Sequence, residues 1–147
     1  MYLEVLFKDC NLDDLREVIE LCNEIFGEET SIEYATQVFN DTKDDSNQIY
    51  INGIVDGKIV AHTKLTIIPT MYQPMSTYAI VNHFGVKKEY RRHHIATKML
   101  DEVVRRCNEM SCNSIKLWSR NFRKDAHGLY HNYGFELSDA GFFQKDI

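Results

Sequence analysis

A basic segment between positions 89 and 100, EYRRHHIATKML, has the composition of an anion-binding site. Arg91 and Arg92 carry guanidinium groups, which bind phosphate through paired, charge-assisted hydrogen bonds. An amphipathic helix pattern follows from Ile95, and the first N–H groups of a helix have no partner inside it. The helix dipole adds positive potential there, and Ala96 is small enough for a ligand to approach the backbone. The segment therefore predicts a phosphate site at a helix start.

A second group of polar residues lies in RKDAHGLYHNY, residues 123–133. His127 and His131 have the i, i+4 spacing of metal ligands on a helix, but residue 128 is glycine and no third ligand is evident. We therefore predict no metal site. Tyr130, between the two histidines, is either a packed aromatic side chain or a proton donor.

Bulk composition narrows the class of protein. A chain of 147 residues fits one domain, which we place at 1–147. The net charge of −5 argues against a general nucleic-acid binder, although it allows one local basic pocket. No apolar run is long enough to span a membrane, the N-terminus lacks a signal-peptide pattern, and the four cysteines show no C-x-x-C spacing. We expect a cytoplasmic protein with no membrane or nucleic-acid partner.

The periodicity of the chain predicts the elements that must position these groups. Strands and helices follow in the order β-α-α-β-β-β-α-β-α-β-β, which predicts an α/β fold with helices on both faces of a mixed sheet. Asp56-Gly57 predicts a tight hairpin, and Gly85 inside a strand predicts a bulge or a close backbone approach. Strands are predicted at 2–9, 48–55, 58–68, 78–86, 114–119, 135–137 and 141–146, and helices at 12–26, 31–41, 95–108 and 123–133.

The segment from Arg91 to Ala96 resembles the acetyl-coenzyme A signature of the GNAT superfamily of N-acetyltransferases, Arg/Gln-x-x-Gly-x-Gly/Ala. The later segment DAHGLYHNYGF, residues 125–135, is similar to the family's late helix, in which a tyrosine precedes a Gly-Phe pair. The two motifs occur in the family's order and separation. This resemblance implies a mixed, mostly antiparallel sheet of six to seven strands flanked by four helices. It also implies an acyltransferase that uses acetyl-CoA as cosubstrate.

The resemblance further implies which residues form the site. Tyr130 corresponds to the tyrosine that protonates the departing thiolate. The chain has His94 where the family usually has glycine; its side chain would either crowd the pyrophosphate or hydrogen-bond to it, and we expect the site to work because backbone groups are the donors. The implied cofactor-binding residues are Phe84, Gly85, Val86, Arg91, Arg92, His93, His94, Ile95, Ala96, Thr97, Asn121, Lys124 and Tyr130.

The general base is less clear from the resemblance. Many relatives have a glutamate where this chain has Asn82, which cannot accept a proton. The adjacent His83 is the candidate, although strand alternation would direct it to the other face unless a bulge redirects it. A chain of water molecules is the other agent considered.

We expect the acceptor to be the primary amine of a small molecule, such as an aminoglycoside, an amino sugar or a polyamine. Tyr72, Tyr78 and Asn82 are the candidates to line its site. Two alternatives remain open: an acetyltransferase that acts on a protein amine, and a non-catalytic domain that binds acyl-CoA as a sensor or scaffold. The Phe142-Phe143 pair predicts the packing of a terminal strand or a homodimer surface.

Overall fold

A single open sheet organises the chain in the computed structural model, which describes residues 3–147. Its five strands lie side by side in the order in which they occur along the sequence. The pairings from β1 to β4 are antiparallel, and β4 pairs with β5 in parallel. Asp56 and Gly57 turn the β2–β3 hairpin with φ angles of 49° and 78°, as their turn chemistry predicts. The strands are β1 (Leu6–Asp9), β2 (Gln48–Val55), β3 (Lys58–Ile68), β4 (Tyr78–Val86) and β5 (Ser114–Leu117).

Local capping groups set the bounds of the helices at the N-terminal end of the chain. Asn11 and Asp14 form a reciprocal capping box ahead of α1, and Gly27 ends α1 with a left-handed φ of 64°. The side chain of Ser31 accepts a hydrogen bond from the backbone of Tyr34 and so begins α2. The helices are α1 (Leu15–Phe26), α2 (Ile32–Thr42), α3 (Ile95–Glu109) and α4 (Lys124–Tyr133), with short 3-10 turns at Leu12–Asp14 and Lys88–Tyr90.

The core lies on both faces of the sheet, because α1 and α3 cover opposite sides. Ile59 packs with the buried face of α1, whereas its neighbour Val60 packs with Ile95 and Met99 of α3. Successive residues of a strand point to opposite faces, so the two helices must lie on different sides. Burying one large apolar side chain contributes about 1.5–3 kcal/mol, and α3 is buried along its whole inner stripe. The two-faced α/β architecture predicted from the sequence is therefore confirmed.

The end of the chain differs from the prediction. The strands expected at 135–137 and 141–146 are wrong, since residues 134–147 form no strand. Phe135 packs on Tyr130, and Phe142 packs on Trp118, but Leu137 and Phe143 are 94% and 93% exposed. A β-rich composition favours a strand only where a neighbouring strand accepts its hydrogen bonds. Within residues 3–147, β5 pairs only with β4, so the sheet has five strands rather than six or seven.

The first strand is also shorter than predicted. It covers Leu6–Asp9 rather than 2–9, and residue 2 lies outside the described part of the chain. Between residues 3 and 147, no helix has both the length and the apolar character needed to cross a bilayer.

A network of hydrogen-bonded polar side chains connects β3 to the start of α1. His62 Nδ1 lies 2.8 Å from Asn52 Oδ1, and Asn52 Nδ2 donates to Asp14 Oδ2 at 3.5 Å. Because the Asn52 amide nitrogen is the donor to Asp14, its oxygen is the acceptor, and His62 carries its proton on Nδ1. Burial, helped by the charges of His83 and Lys64, lowers the pKa of His62 to about 4. The imidazole is therefore neutral in the folded protein at physiological pH.

This burial predicts a pH-dependent stability. The folded-state pKa of His62 lies below its ordinary value of 6.5, so the unfolded chain binds the proton first as the pH falls. The stability contribution is present above pH 6.5 and is lost toward pH 4. We expect His62→Gln to remove about 2 kcal/mol of the stability change between pH 7 and pH 5. Urea denaturation at both pH values measures this difference.

The control for this experiment is His131→Gln, because His131 is exposed on α4. This variant should keep the pH dependence of the unmodified protein. An equal loss of stability between pH 7 and pH 5 in His62→Gln and in the unmodified protein would contradict the assignment.

Candidate active site

The candidate site begins where β4 and β5 separate. Their parallel ladder runs from the Tyr78–Ser114 pair to the Val81–Leu117 pair and ends there. Residues 82–86 therefore continue as a strand with β3 on one side and, among residues 3–147, no strand on the other. On the open side, Arg91 Nε donates to the carbonyl oxygen of Val86 at 3.2 Å. An extended ligand with amide groups can pair with this edge as a strand would.

A bulge in β4 determines which way His83 points. Gly85 pairs with His62 and Asn82 pairs with Lys64, so His83 and Phe84 together oppose the single residue Thr63. His83 has a left-handed φ of 49°. Its imidazole consequently lies against Phe26 at the end of α1, with the ring centroids 5.0 Å apart and nearly perpendicular. The bulge considered in the sequence analysis is present, and it brings His83 to the α1 face.

Gly85 does not form the bulge that was one of its two expected roles. It pairs in regular register with His62, so the predicted bulge at Gly85 lies instead at His83 and Phe84. A Cβ atom at Gly85 would lie 3.0 Å from Ile25 Cγ2 and 3.0 Å from Phe26 Cζ. The absence of a side chain at Gly85 therefore lets α1 pack closely on β4. This is the close backbone approach that the sequence analysis gave as its second interpretation.

Tyr130 lies beside the same stretch of β4, on α4. Its half-buried ring packs edge-on against Phe84, with a centroid distance of 6.0 Å, and against Phe135 at 5.8 Å. Burial raises the pKa of Tyr130, and the nearby charge of Arg123 acts in the opposite direction. The phenol therefore keeps its proton at neutral pH and is able to donate it. Tyr130 packs on Phe84, the residue of β4 that follows His83.

Two residues that the sequence analysis missed complete this region. Arg123, just before α4, places its guanidinium carbon 5.6 Å from the centre of the Phe26 ring, so it joins the start of α4 to the end of α1. Glu28, just after α1, places its carboxylate within 3.1 Å of His83. The local sequence signals were weak: an arginine before a helix and an acidic residue after a helix-ending glycine.

The predicted anion-binding segment forms a tight loop before α3. Arg92 and His94 have left-handed φ angles of 66° and 64°. The first intrahelical bond of α3 runs from the Lys98 N–H to the His94 carbonyl, so the N–H groups of residues 95–97 have no partner within the helix. The side chain of Ile95 is buried, which fixes the helix start against the core and leaves only its backbone for a ligand.

The side chains around this helix start suit an anion in other ways. Arg91, Arg92, His94 and Thr97 are exposed, whereas His93 and Ala96 are half-buried. His94 adopts the conformation that glycine adopts most easily, and glycine is the residue usual there in the resembled signature. The backbone at His94 therefore has a conformation that a glycine would adopt without strain.

The other predicted residues lie at different distances from this region. Asn121 is exposed in the turn before α4, and Lys124 is exposed at the first residue of α4. Asn82 is next to His83, and its carbonyl oxygen accepts a hydrogen bond from Thr63 Oγ1 at 2.9 Å. Tyr78 begins β4, about 16 Å from His83 at the usual rise of a strand. Tyr72 is 60% exposed in the loop that precedes Tyr78. In the described part of the chain, neither tyrosine is in ring contact with His83 or Tyr130.

The two histidines of α4 differ in their surroundings. His127 Nε2 lies 3.3 Å from the Ser119 carbonyl oxygen, and His131 is exposed. In the described part of the chain, no three His, Cys, Asp or Glu side chains are grouped as metal ligands.

Comparison with known proteins agrees with this geometry. Residues 13–135 match the model of the acetyltransferase (GNAT) family, and the chain therefore belongs to that family of acyltransferases. No significant match was found among curated protein sequences.

The solved structures that resemble the chain are distant in sequence and near in fold. A predicted acetyltransferase from Clostridium acetobutylicum, solved with acetyl-CoA, is 18% identical with a TM-score of 0.79, covering 97% of this chain and 96% of that one. The aminoglycoside 6'-N-acetyltransferase AAC(6')-Ih from Acinetobacter baumannii is 16% identical with a TM-score of 0.81, covering 98% and 99%. Glucosamine-6-phosphate N-acetyltransferase from Arabidopsis thaliana is 15% identical with a TM-score of 0.81, covering 97% and 98%.

The left-handed conformation of His94 predicts a stabilising substitution. A residue with a Cβ atom loses about 1–2 kcal/mol in this conformation, and glycine does not. After the greater freedom of glycine in the unfolded chain is subtracted, His94→Gly should raise the free energy of unfolding by about 0.5–1 kcal/mol. Chemical denaturation measures this change.

The matched control is His93→Gly, since His93 is not among the residues with positive φ. There the substitution relieves no strain and should lower stability by at least about 0.4–1 kcal/mol. Equal losses of stability in the two variants would show that His94 is not strained.

Proposed function

We propose that the chain transfers an acetyl group from acetyl-CoA directly to the primary amine of a small molecule. One observation carries this proposal: the open stretch of β4 has a protonated, half-buried phenol on one side and an imidazole redirected by a bulge on the other. Tyr130 is a proton donor and His83 a proton acceptor. A non-catalytic domain that only binds acyl-CoA would have no use for a proton donor and a proton acceptor at these positions.

Two parts of the site suit acetyl-CoA: the start of α3 suits the diphosphate, and the open edge of β4 suits the pantetheine arm. The N–H groups of residues 95–97 and the exposed Arg91 and Arg92 are donors for the diphosphate. The open edge of residues 82–86 offers backbone groups to the amides of the pantetheine arm. Ala96, in the first turn of α3, leaves room for the phosphates beside the helix start. A neighbour in fold, the Clostridium acetobutylicum protein, was solved with acetyl-CoA.

The reaction requires two protons to leave the acceptor ammonium. His83 takes one and passes it to solvent, which leaves an amine that attacks the thioester carbonyl carbon. The C–N bond forms, the tetrahedral adduct collapses, and the C–S bond breaks. Tyr130 gives its proton to the sulfur, and its phenolate is restored by the second proton from the amine. The products are an acetamide, CoA thiol and one proton released to solvent.

The charge near His83 favours a cationic acceptor. The Glu28 carboxylate lies against His83, and the chain carries a net charge of −5. Two fold neighbours bear the names of an aminoglycoside acetyltransferase and an amino sugar phosphate acetyltransferase. An aminoglycoside, an amino sugar or a polyamine is therefore the acceptor class that we propose.

The deciding experiment combines cofactor binding with turnover. Calorimetry should detect binding of acetyl-CoA, and a thiol reagent should detect CoA release that depends on kanamycin, glucosamine or spermidine. Binding with no release from any of these amines or from a lysine-containing peptide would favour the sensor. Release only with the peptide would favour a protein amine as acceptor. No binding of any CoA thioester to folded protein would end the proposal.

The helix start predicts a charge-sensitive cofactor site. Ala96→Glu places a carboxylate beside the N–H groups proposed to bind the diphosphate, so it should weaken acetyl-CoA binding by more than tenfold. Calorimetry measures the dissociation constant, and circular dichroism checks that the variant is folded. Gln37→Glu adds the same charge on the exposed side of α2 and should leave binding unchanged. Unaltered affinity in Ala96→Glu would place the diphosphate elsewhere.

The phenol of Tyr130 predicts a defect in kcat. Tyr130→Phe removes the proton donor and keeps the ring that packs on Phe84, so kcat should fall by about 100-fold or more while acetyl-CoA still binds. Thiol release under saturating substrates gives kcat. Tyr133→Phe is the matched control, because the Tyr133 hydroxyl donates to Asp101 at 2.6 Å rather than lying beside β4. Similar kcat values in the two variants would show that the Tyr130 hydroxyl takes no part in the reaction.

A further inference from the structure

Glu28 and His83 form a side-chain pair across 55 residues of sequence. The Nε2 atom of His83 lies 3.1 Å from Glu28 Oε1 and 3.0 Å from Oε2. A carboxylate accepts hydrogen bonds, so Nε2 is the protonated nitrogen of the imidazole in this arrangement. The lone pair of neutral His83 is then on Nδ1.

The backbone holds both members of the pair. His83 has its left-handed φ in the β4 bulge, and its ring rests on the edge of Phe26. Glu28 follows the left-handed Gly27, and the Glu28 N–H donates to the Asn23 carbonyl at 3.1 Å. These contacts fix the backbone positions from which the His83 and Glu28 side chains extend.

The loop that carries Glu28 is closed by a second set of hydrogen bonds. Asn23 Nδ2 donates to the Thr30 carbonyl at 3.1 Å, and the Thr30 N–H donates to Asn23 Oδ1 at 3.1 Å. One side chain of α1 therefore clamps both backbone groups of Thr30, two residues after Glu28.

We propose that Glu28 is a positioning residue that holds His83 with its proton on Nε2, so that Nδ1 receives the proton of the acceptor amine. This inference rests on the proposed acetyltransferase function and adds the residue that makes His83 a competent base. In the step itself, the N–H bond of the acceptor breaks and a bond from that proton to Nδ1 forms. The imidazolium keeps its hydrogen bond to the Glu28 carboxylate until solvent removes the proton.

The charged and titratable groups around His83 come from three elements. Glu28 follows α1, His62 and Lys64 lie on β3, and Arg123 precedes α4. Burial keeps His62 neutral, and Arg123 stacks over Phe26. Glu28 is therefore the carboxylate that the structure places against His83, and its negative charge offsets the positive charge that His83 gains.

A double-mutant cycle tests the proposal. Glu28→Gln keeps the size of the side chain and removes its charge, and should lower kcat by more than tenfold with little change in acetyl-CoA affinity. In a His83→Gln background, adding Glu28→Gln should have no further effect on kcat or KM, since Glu28 acts through His83. Glu29→Gln, the exposed neighbour, is the matched control and should behave as the unmodified protein.

Other outcomes overturn the assignment. A rise in KM for the amine that persists in the His83→Gln background would mean that Glu28 binds the acceptor ammonium instead. An unaltered kcat in Glu28→Gln would mean that the pair has no part in turnover.

A measurement without turnover separates this proposal from the proposed function. Nitrogen-15 NMR of the histidine rings should show His83 with its proton on Nε2 in the unmodified protein, and a mixture of tautomers in Glu28→Gln. The same tautomer distribution in both proteins overturns the positioning role even if the enzyme is active. The expected tautomers together with no amine-dependent thiol release would support the pairing of Glu28 with His83 and defeat the proposed function.

Discussion

The bulge in β4, where His83 and Phe84 together oppose Thr63, is the constraint on which the rest of the site depends. Before the bulge, Val81 faces the α3 side of the sheet, and after it Phe84 and Val86 face that same side. Regular alternation would give His83 this orientation in place of Phe84. The extra residue therefore places the imidazole on the α1 face while the aromatic ring packs toward Tyr130. A left-handed conformation at a residue other than glycine costs about 1–2 kcal/mol, which the flanking ladder with β3 must offset.

Burial and exposure divide the ionisable groups of the region into two kinds. Tyr130 and His62 are desolvated, and in both cases burial favours the neutral form, which raises the pKa of the phenol and lowers the pKa of the imidazole. His83 and Glu28 are 47% and 37% exposed in their side chains. Solvent reaches this pair, so a proton that arrives at His83 has a route out of the protein. The neutral phenol and the solvated pair are suited to opposite directions of proton transfer.

The helix that supplies the anion-binding end also carries much of the core. Ile95, Met99, Leu100 and Val103 of α3 are all nearly or wholly inaccessible to solvent. Because the first of these residues lies in the first turn, the N–H groups of that turn are oriented by core packing rather than by the exposed loop. Gly85 plays a comparable role on the opposite face, where it allows α1 to approach β4 and brings Phe26 and Glu28 to His83.

Local sequence determined the features that depend on neighbours along the chain. The caps at Asn11, Gly27 and Ser31, the Asp56-Gly57 hairpin and the loop before α3 follow from short-range hydrogen bonds and backbone preferences. The segment from Arg91 to Ala96 and the motif around Tyr130 were sufficient to predict the family, and periodicity with turn residues predicted most of the elements. The two terminal strands were wrong because a strand is completed only by its partner, and composition does not supply one.

Tertiary structure alone decided the position of the bulge, the end of the β4–β5 ladder and the pairs that join distant segments. His83 meets Glu28 across 55 residues, and Arg123 reaches Phe26 from the start of α4. No periodicity or motif records such contacts, because they depend on how α1 and α4 pack on the sheet. The sequence therefore determined which chemical groups are present and on which elements, and the packing of those elements decided which groups meet.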